Sequence, residues 1–344
     1  MSEPVLSVRD LTVSFPDGDG RRRDAGRRLS LDLFPGTFSA LVGESGSGKS
    51  VSAMSLLGLV PSPPARIGGE SVMYRFSDGR EADLLREESS AMRRVRGGEL
   101  AMIFLEPMTG LYPVRRVGDQ VAEAVRLLGK LHGNAGRRAA ARAAVGDLER
   151  VGIPDAARRS RQHPHEFSGG MRQRVMIAIA LACGPRVLIA DEPTTALDVT
   201  IQASILDLIR GLVDEEGLSV LLITHDLALV RAYADRVAVL YRGVLLEEGP
   251  CERVLGAPAH PYTRGRLATA PDLGDTRARL VTMDSVMASG VDSLGGRARG
   301  YSPWTPGELG GTAVDGDVLP GMVGVGAGQT VRASGSGPRR GTVS

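Results

Sequence analysis

The sequence predicts an α/β fold with a mostly parallel sheet, an antiparallel β subdomain at its N-terminal end and an inserted α-helical subdomain. Three observations carry this reading. Short apolar runs at Phe38–Val42, Val187–Ala190, Ser219–Ile223 and Val237–Tyr241 have the length of buried strands. Between two of them lies Thr200–Val213, with Ile201, Ile205, Leu208 and Leu212 on one helical face, and strands alternating with helices build parallel sheets. The stretch from about 114 to 182 holds no good strand, and Val117, Val121, Val125 and Leu128 there share one helical face.

The N-terminal elements follow in order. Residues 5–15 read as a half-buried strand, because Leu11, Val13 and Phe15 alternate with Thr12 and Ser14. Pro16 to Gly20 is turn chemistry. The basic run Arg21–Arg28 reads as a solvated loop, and Leu29, Leu31 and Leu33 as a returning strand. Phe38–Val42 then enters a glycine-rich turn followed by an apolar helical run, Val51–Leu59. After about residue 271 apolar residues lose any period, and 16 of the 45 glycines fall in the last 74 positions. Such composition buries too little surface to offset chain entropy. The expected organisation is one domain over 1–270, with its helical subdomain at about 114–182, and a glycine-rich, disordered tail over 271–344 that carries the only tryptophan, Trp304.

Composition narrows the function classes. The chain has 344 residues, 24% of them charged, and a net charge of only +2, which gives no electrostatic case for nucleic acid. The longest apolar run, Val175–Cys183, is about half of a membrane span. Met1 to Pro4 has no basic region leading into an apolar stretch, so no secretory leader is expected. Two cysteines, Cys183 and Cys251, form neither a metal site alone nor a disulfide framework, which fits the reducing cytosol. Of the 42 basic residues only Lys49 and Lys130 are lysine, so a surviving lysine marks a position that needs an ammonium.

Lys49 sits in Gly43-Glu44-Ser45-Gly46-Ser47-Gly48-Lys49-Ser50, a G-x-x-x-x-G-K-S loop between strand and helix. Glycines let successive N–H groups turn inward to phosphate oxygens, and the following helix, entered at Val51, adds its positive dipole end. Lys49 is expected to reach the β- and γ-phosphates of ATP, and the Ser50 hydroxyl to ligate Mg2+. A second candidate element is the strand Val187–Ala190, which ends in Asp191 and Glu192. There Asp191 suits the Mg2+ shell and Glu192 suits deprotonation of an attacking water.

Three further runs complete a set: Phe167-Ser168-Gly169-Gly170-Met171-Arg172-Gln173-Arg174, then Leu188 to Asp198 reading LIADEPTTALD, then Thr224-His225-Asp226. In this order they resemble the ATP-binding subunits of ABC transporters, over roughly residues 5–270. The resemblance implies a P-loop NTPase core. It makes residues 43–50 a Walker A loop, Asp191 and Glu192 the Walker B aspartate and catalytic glutamate, and Ser168, Gly169, Gly170 and Met171 the signature motif. That motif clamps the γ-phosphate held by a second subunit, so a sandwich dimer is implied. Asp198 matches the loop crossing the dimer interface, and His225 the switch histidine at the γ-phosphate. Phe15 fits the aromatic that stacks on adenine, with ordinary core packing as the other reading.

Ala101 to Pro113 (AMIFLEPMTGLYP), Met171 within EFSGGMRQRV, and His260-Pro261-Tyr262-Thr263-Arg264 narrow the likeness to importers of the oligopeptide, dipeptide and nickel class. Implied partners are two membrane-spanning permease subunits, a second ATPase subunit and, indirectly, an extracytoplasmic solute-binding protein, at the cytoplasmic face of the cell membrane. One position departs: Leu105 stands where the family has the Q-loop glutamine that ligates Mg2+ and contacts the membrane subunit, and adjacent Glu106 keeps the motif's acidic place. This favours an alternative, a catalytically weakened subunit that supports an active homologue. A DNA-repair ATPase is the third reading, opposed by the charge and by the room for only a helical insertion in the roughly 118 residues between Lys49 and Ser168.

Overall fold

The computed structural model describes residues 3–87, 89–104, 110–128, 133–195, 197–269, 301–303, 322–326 and 328–335. Leu105, Glu106, Lys130 and Trp304 lie outside the described residues.

Strand β1 (Leu6–Pro16) pairs antiparallel with β2 (Arg22–Leu33). The basic run expected as a loop is therefore strand. Leu29, Leu31 and Leu33 are buried; Arg23 and Arg28 are exposed, Arg27 is half-buried, and Arg22 is half-buried with its guanidinium donating to Ser14 of β1. Three register shifts in the β1–β2 pairing break the simple alternation that would have revealed this. After β3 (Phe38–Val42) and helix α1 (Lys49–Leu56), three short strands complete the antiparallel sheet: β4 (Arg66–Gly68) and β5 (Ser71–Arg75) on β1, and β6 (Glu81–Asp83) on β5.

Helix α2 (Ser89–Val95) leads into β7 (Leu100–Ile103), the edge of the main sheet. The insertion follows as α3 (Val117–Leu128), α4 (Gly133–Arg150), α5 (Ala156–Arg159) and α6 (Gly169–Leu181). The chain then returns through β8 (Val187–Asp191), α7 (Val199–Glu216), β9 (Ser219–Thr224), α8 (Leu227–Tyr233) and β10 (Arg236–Tyr241). Strands β10, β3, β9, β8 and β7 are all parallel, in that spatial order, and β11 (Val244–Pro250) closes antiparallel on β10.

A parallel sheet covered on both faces is apolar in both directions. Here Ile189 and Leu221 pack toward α1 and the antiparallel sheet, while Leu188 and Leu222 pack toward α3, α4, α6 and α7. The predicted strands and the helical face of Val117 and Val121 are accordingly buried. Helices α9 (Cys251–Gly256) and α10 (Pro261–Thr269) cover the β10–β11 end.

The tail differs from its expectation. Residues 301–303, 322–326 and 329–335 form β12 (Tyr301–Pro303), β13 (Met322–Gly326) and β14 (Gln329–Gly335). Strand β14 pairs with β11 through Glu247–Val331 and Glu248–Thr330 and buries Gln329 to Arg332. Main-chain pairing to a sheet edge needs no hydrophobic period in the added strand, so composition did not reveal it.

Candidate functional site

The glycine-rich loop lies where β3 leaves the sheet and α1 begins. Gly46 and Gly48 have φ of +78° and +92°, in the left-handed region. Gly48 also lies against β2, where a Cβ would stand 1.8 Å from the Ala25 carbonyl oxygen. The β10–β11 turn clasps the other side, with Gly243 N–H donating to the Ser47 carbonyl (2.9 Å) and Arg27 N–H to the Gly243 carbonyl (2.7 Å).

Lys49 is only 4% exposed. Its ammonium donates to the carbonyls of Gly43 (2.9 Å) and Glu44 (2.8 Å), so it lies within the curl of the loop. Burial pulls its pKa below the usual lysine value, and Glu192 and Asp191 oppose that fall. The ammonium and the loop's N–H groups are the positive elements here, and the two carboxylates opposite would repel a polyphosphate unless a cation lay between them.

Strand β8 delivers the carboxylates because β8, β9 and β3 are successive neighbours and end at one edge. Ser50 Oγ donates to Asp191 Oδ1 at 2.9 Å. Burial raises the Asp191 carboxyl above the ordinary range. These two hard oxygen donors are of the kind that Mg2+ takes, and together they would hold it here.

Glu192 follows at φ +44°, a left-handed conformation that costs a non-glycine residue about 1–3 kcal/mol. Its N–H is held by the Ile223 carbonyl (2.9 Å). Thr195 Oγ1 donates to Oε2 (2.9 Å), and His225 Nδ1 lies 3.3 Å from Oε1. The backbone turn and both side-chain partners aim one carboxylate toward the lysine side of the loop.

Ser168 caps α6, accepting from Met171 N–H (3.3 Å), and Asp198 caps α7, accepting from Ile201 N–H (2.9 Å). A Cβ on Gly170 would stand 2.5 Å from Ile201 Cγ2, so the two caps sit side by side. Among the described residues no hydrogen bond or ion pair joins Ser168–Met171 to the 43–50 loop. Phe15 is half-buried against the first core cluster and opposite Arg23 on β2. The structure therefore gathers Lys49, Ser50, Asp191, Glu192 and His225 into one site, and it sets Gly170 of α6 against Ile201 of α7.

Two residues at this site were not named for it from sequence. Tyr262 of α10 packs on Tyr241 with ring centroids 4.5 Å apart; burial raises its phenol pKa above the ordinary tyrosine value, and Glu44 raises it further. Arg266 Nη2 donates to the His225 carbonyl at 2.8 Å. The run His260 to Arg264 marked this region, but no local signal connects it with a loop over 200 residues away.

A sequence model of the ABC transporter family matches residues 27–195. A Brucella melitensis protein, named provisionally as a peptide import ATP-binding protein, is 48% identical over 273 residues, 79% of each chain. A Brucella abortus protein with the same kind of name is 49% identical over 280 residues, 81% of each. The glutathione import ATP-binding protein GsiA of Salmonella choleraesuis is 48% identical over 80% of this chain and 44% of its own length. Among solved structures, the dimeric ATP-binding cassette MJ0796 bound to ADP and Pi superposes with a TM-score of 0.60 at 23% identity, covering 72% of this chain and 98% of that one. The cbiO1 cassette of Clostridium perfringens superposes with the same score at 24% identity, covering 74% of this chain and 92% of that one. At such identity the likeness concerns the fold.

Proposed function

The chain belongs to the ABC transporter family, and from that premise we propose that it is the ATP-hydrolysing subunit of an importer for peptides or a related small solute. The carrying observation is the convergence of buried Lys49, the Ser50–Asp191 pair and the Glu192–His225 pair at one edge of the sheet. Import of peptides rests on the names of the Brucella relatives, and glutathione on that of GsiA.

In this reading the N–H groups of residues 43–50 and the Lys49 ammonium bind the β- and γ-phosphates of ATP. Ser50 and Asp191 hold Mg2+, which when bound neutralises phosphate charge. Glu192 accepts a proton from the attacking water. That water's oxygen bonds to the γ-phosphorus while the bond to the β-phosphate oxygen breaks, releasing ADP and phosphate. His225 keeps Glu192 oriented and lies beside the transferred group.

The second subunit of a dimer supplies Ser168 to Met171 to each site. Val199, 80% exposed beside Asp198, supports this. Two permease subunits dock near 104–115, where Phe104, Tyr112 and Val114 are 47%, 65% and 84% exposed. No helix among the described residues is long and apolar enough to cross a membrane. Attachment to the inner face of the membrane therefore runs through those partners.

A second reading, a weakened subunit, is favoured by Leu105 alone. Turnover of the purified chain with Mg2+ and ATP tests the first reading, and no hydrolysis above background refutes it. If Leu105 attenuates the site, Leu105→Gln raises turnover; unchanged turnover removes that reading.

A further inference from the structure

Helix α10 connects the phosphate loop with the His225 loop. Its start is fixed by Glu247, a buried carboxylate that accepts from the N–H groups of Ala259 (2.7 Å) and His260 (3.1 Å). Its first turn is held by the Tyr262–Tyr241 contact and by the Tyr262 N–H donating to His260 Nδ1 at 3.1 Å. One turn further on, Arg266 reaches back 41 residues to the His225 carbonyl.

That carbonyl belongs to the junction between β9 and α8. Asp226 caps α8 by accepting from the N–H groups of Ala228 and Leu229, and its own N–H donates to Thr224 Oγ1. The junction's next peptide plane is thereby held on its N–H side, and Arg266 holds the same plane on its carbonyl side. With both sides fixed, the Cα–Cβ direction of His225 is set, and with it the 3.3 Å approach to Glu192. The imidazole gains from this help because its side chain is 55% exposed.

We propose that Arg266 is a positioning residue of the hydrolytic site, holding the His225 main chain so that the imidazole stays in register with Glu192. The proposal rests on the ATPase reading above.

The test uses the full chain, Mg2+ and ATP, and measures kcat, KM and the thermal midpoint for Arg266→Leu, Arg266→Lys, His225→Ala and the double variant. A charge-assisted hydrogen bond to a backbone carbonyl supports an expectation of about tenfold loss in kcat for Arg266→Leu, with KM within about twofold. Arg266→Lys, which keeps one donor and the charge, restores kcat to within about threefold of the parent. Because Arg266 acts through His225, Arg266→Leu lowers kcat by less than about twofold in the His225→Ala background. Additive losses, an unchanged kcat in Arg266→Leu, no rescue by lysine, or a raised KM at unchanged kcat each overturns the proposal. Should the leucine variant not fold, Arg266→Gln, a smaller change, carries the same coupling measurement. A parent chain that does not hydrolyse ATP above background refutes the ATPase reading itself. A parent that turns over normally while Arg266→Leu does the same refutes only this inference.

Discussion

Gly48→Ala and Gly46→Ala separate two reasons for glycine in the phosphate loop. Both positions have positive φ, +92° and +78°, so each alanine carries a conformational cost of about 1–2 kcal/mol. Their surroundings differ. A Cβ at 46 meets nothing within 4 Å, whereas one at 48 stands 1.8 Å from the Ala25 carbonyl oxygen and 2.9 Å from its carbon. Real Cβ contacts stay beyond about 3 Å, so β2 and the loop must separate by more than about 1 Å. That movement strains the Ser47–Gly243 and Gly243–Arg27 backbone bonds, each worth about 1 kcal/mol. The sum is about 3–4 kcal/mol for Gly48→Ala against about 1–2 for Gly46→Ala. At about 2–4 °C per kcal/mol for a domain of this size, the thermal midpoint falls by roughly ten degrees in one variant and roughly four in the other. Melting by circular dichroism without nucleotide isolates the folded-state term. Midpoints within about two degrees of each other would refute the argument, since the close approach of Ala25 is its only distinguishing element.

Other expectations follow from single contacts. Lys49→Arg keeps the charge, yet a planar guanidinium does not fit between the Gly43 and Glu44 carbonyls, so the variant loses the rise in thermal midpoint that Mg2+ and ATP give the parent. Glu192→Gln keeps nucleotide binding but lowers kcat by about 100-fold or more, the usual contribution of a positioned base; hydrolysis within about threefold of the parent would remove Glu192 from that role. Ser168→Ala removes the cap of α6 and lowers stability by about 1 kcal/mol, read by urea denaturation. Burial pushes the Cys183 thiol up to about 11 from its ordinary 9.0. A folded-state pKa raised above the unfolded one gives stability that is full below about 9 and lost as pH climbs toward 11. Iodoacetamide should therefore label Cys183 slowly at pH 8 in the folded chain and readily in urea.

The parallel sheet was legible because a strand buried on both faces writes an unbroken apolar run, as in Val187–Ala190. The phosphate loop was legible because every one of its functions is local, from the glycines to the lysine and the serine. Strand β2 was not, because its edge position leaves Arg23 and Arg28 exposed and lets Arg22 bond back to Ser14, and a basic run reads as solvent before it reads as sheet. The pairing of β14 on β11 was hidden for a related reason. It is a main-chain contact, and side-chain patterning reports burial and not hydrogen bonding.

The contribution of α10 lies beyond any local reading. Arg266 looks like one more arginine in a chain that uses arginine for nearly all its basic positions. What distinguishes it is the partner chosen by the fold, a carbonyl 41 residues back on a different layer. The same composition that singled out Lys49 thus concealed Arg266. A scarce residue type advertises a constrained position, whereas an abundant one reveals its constraint only when the tertiary contact is seen. The site is consequently larger than its motifs. In the proposed reading, glycine loop, strand-end carboxylates and histidine are the groups that meet ATP, and a helix outside all of them bonds the histidine's backbone.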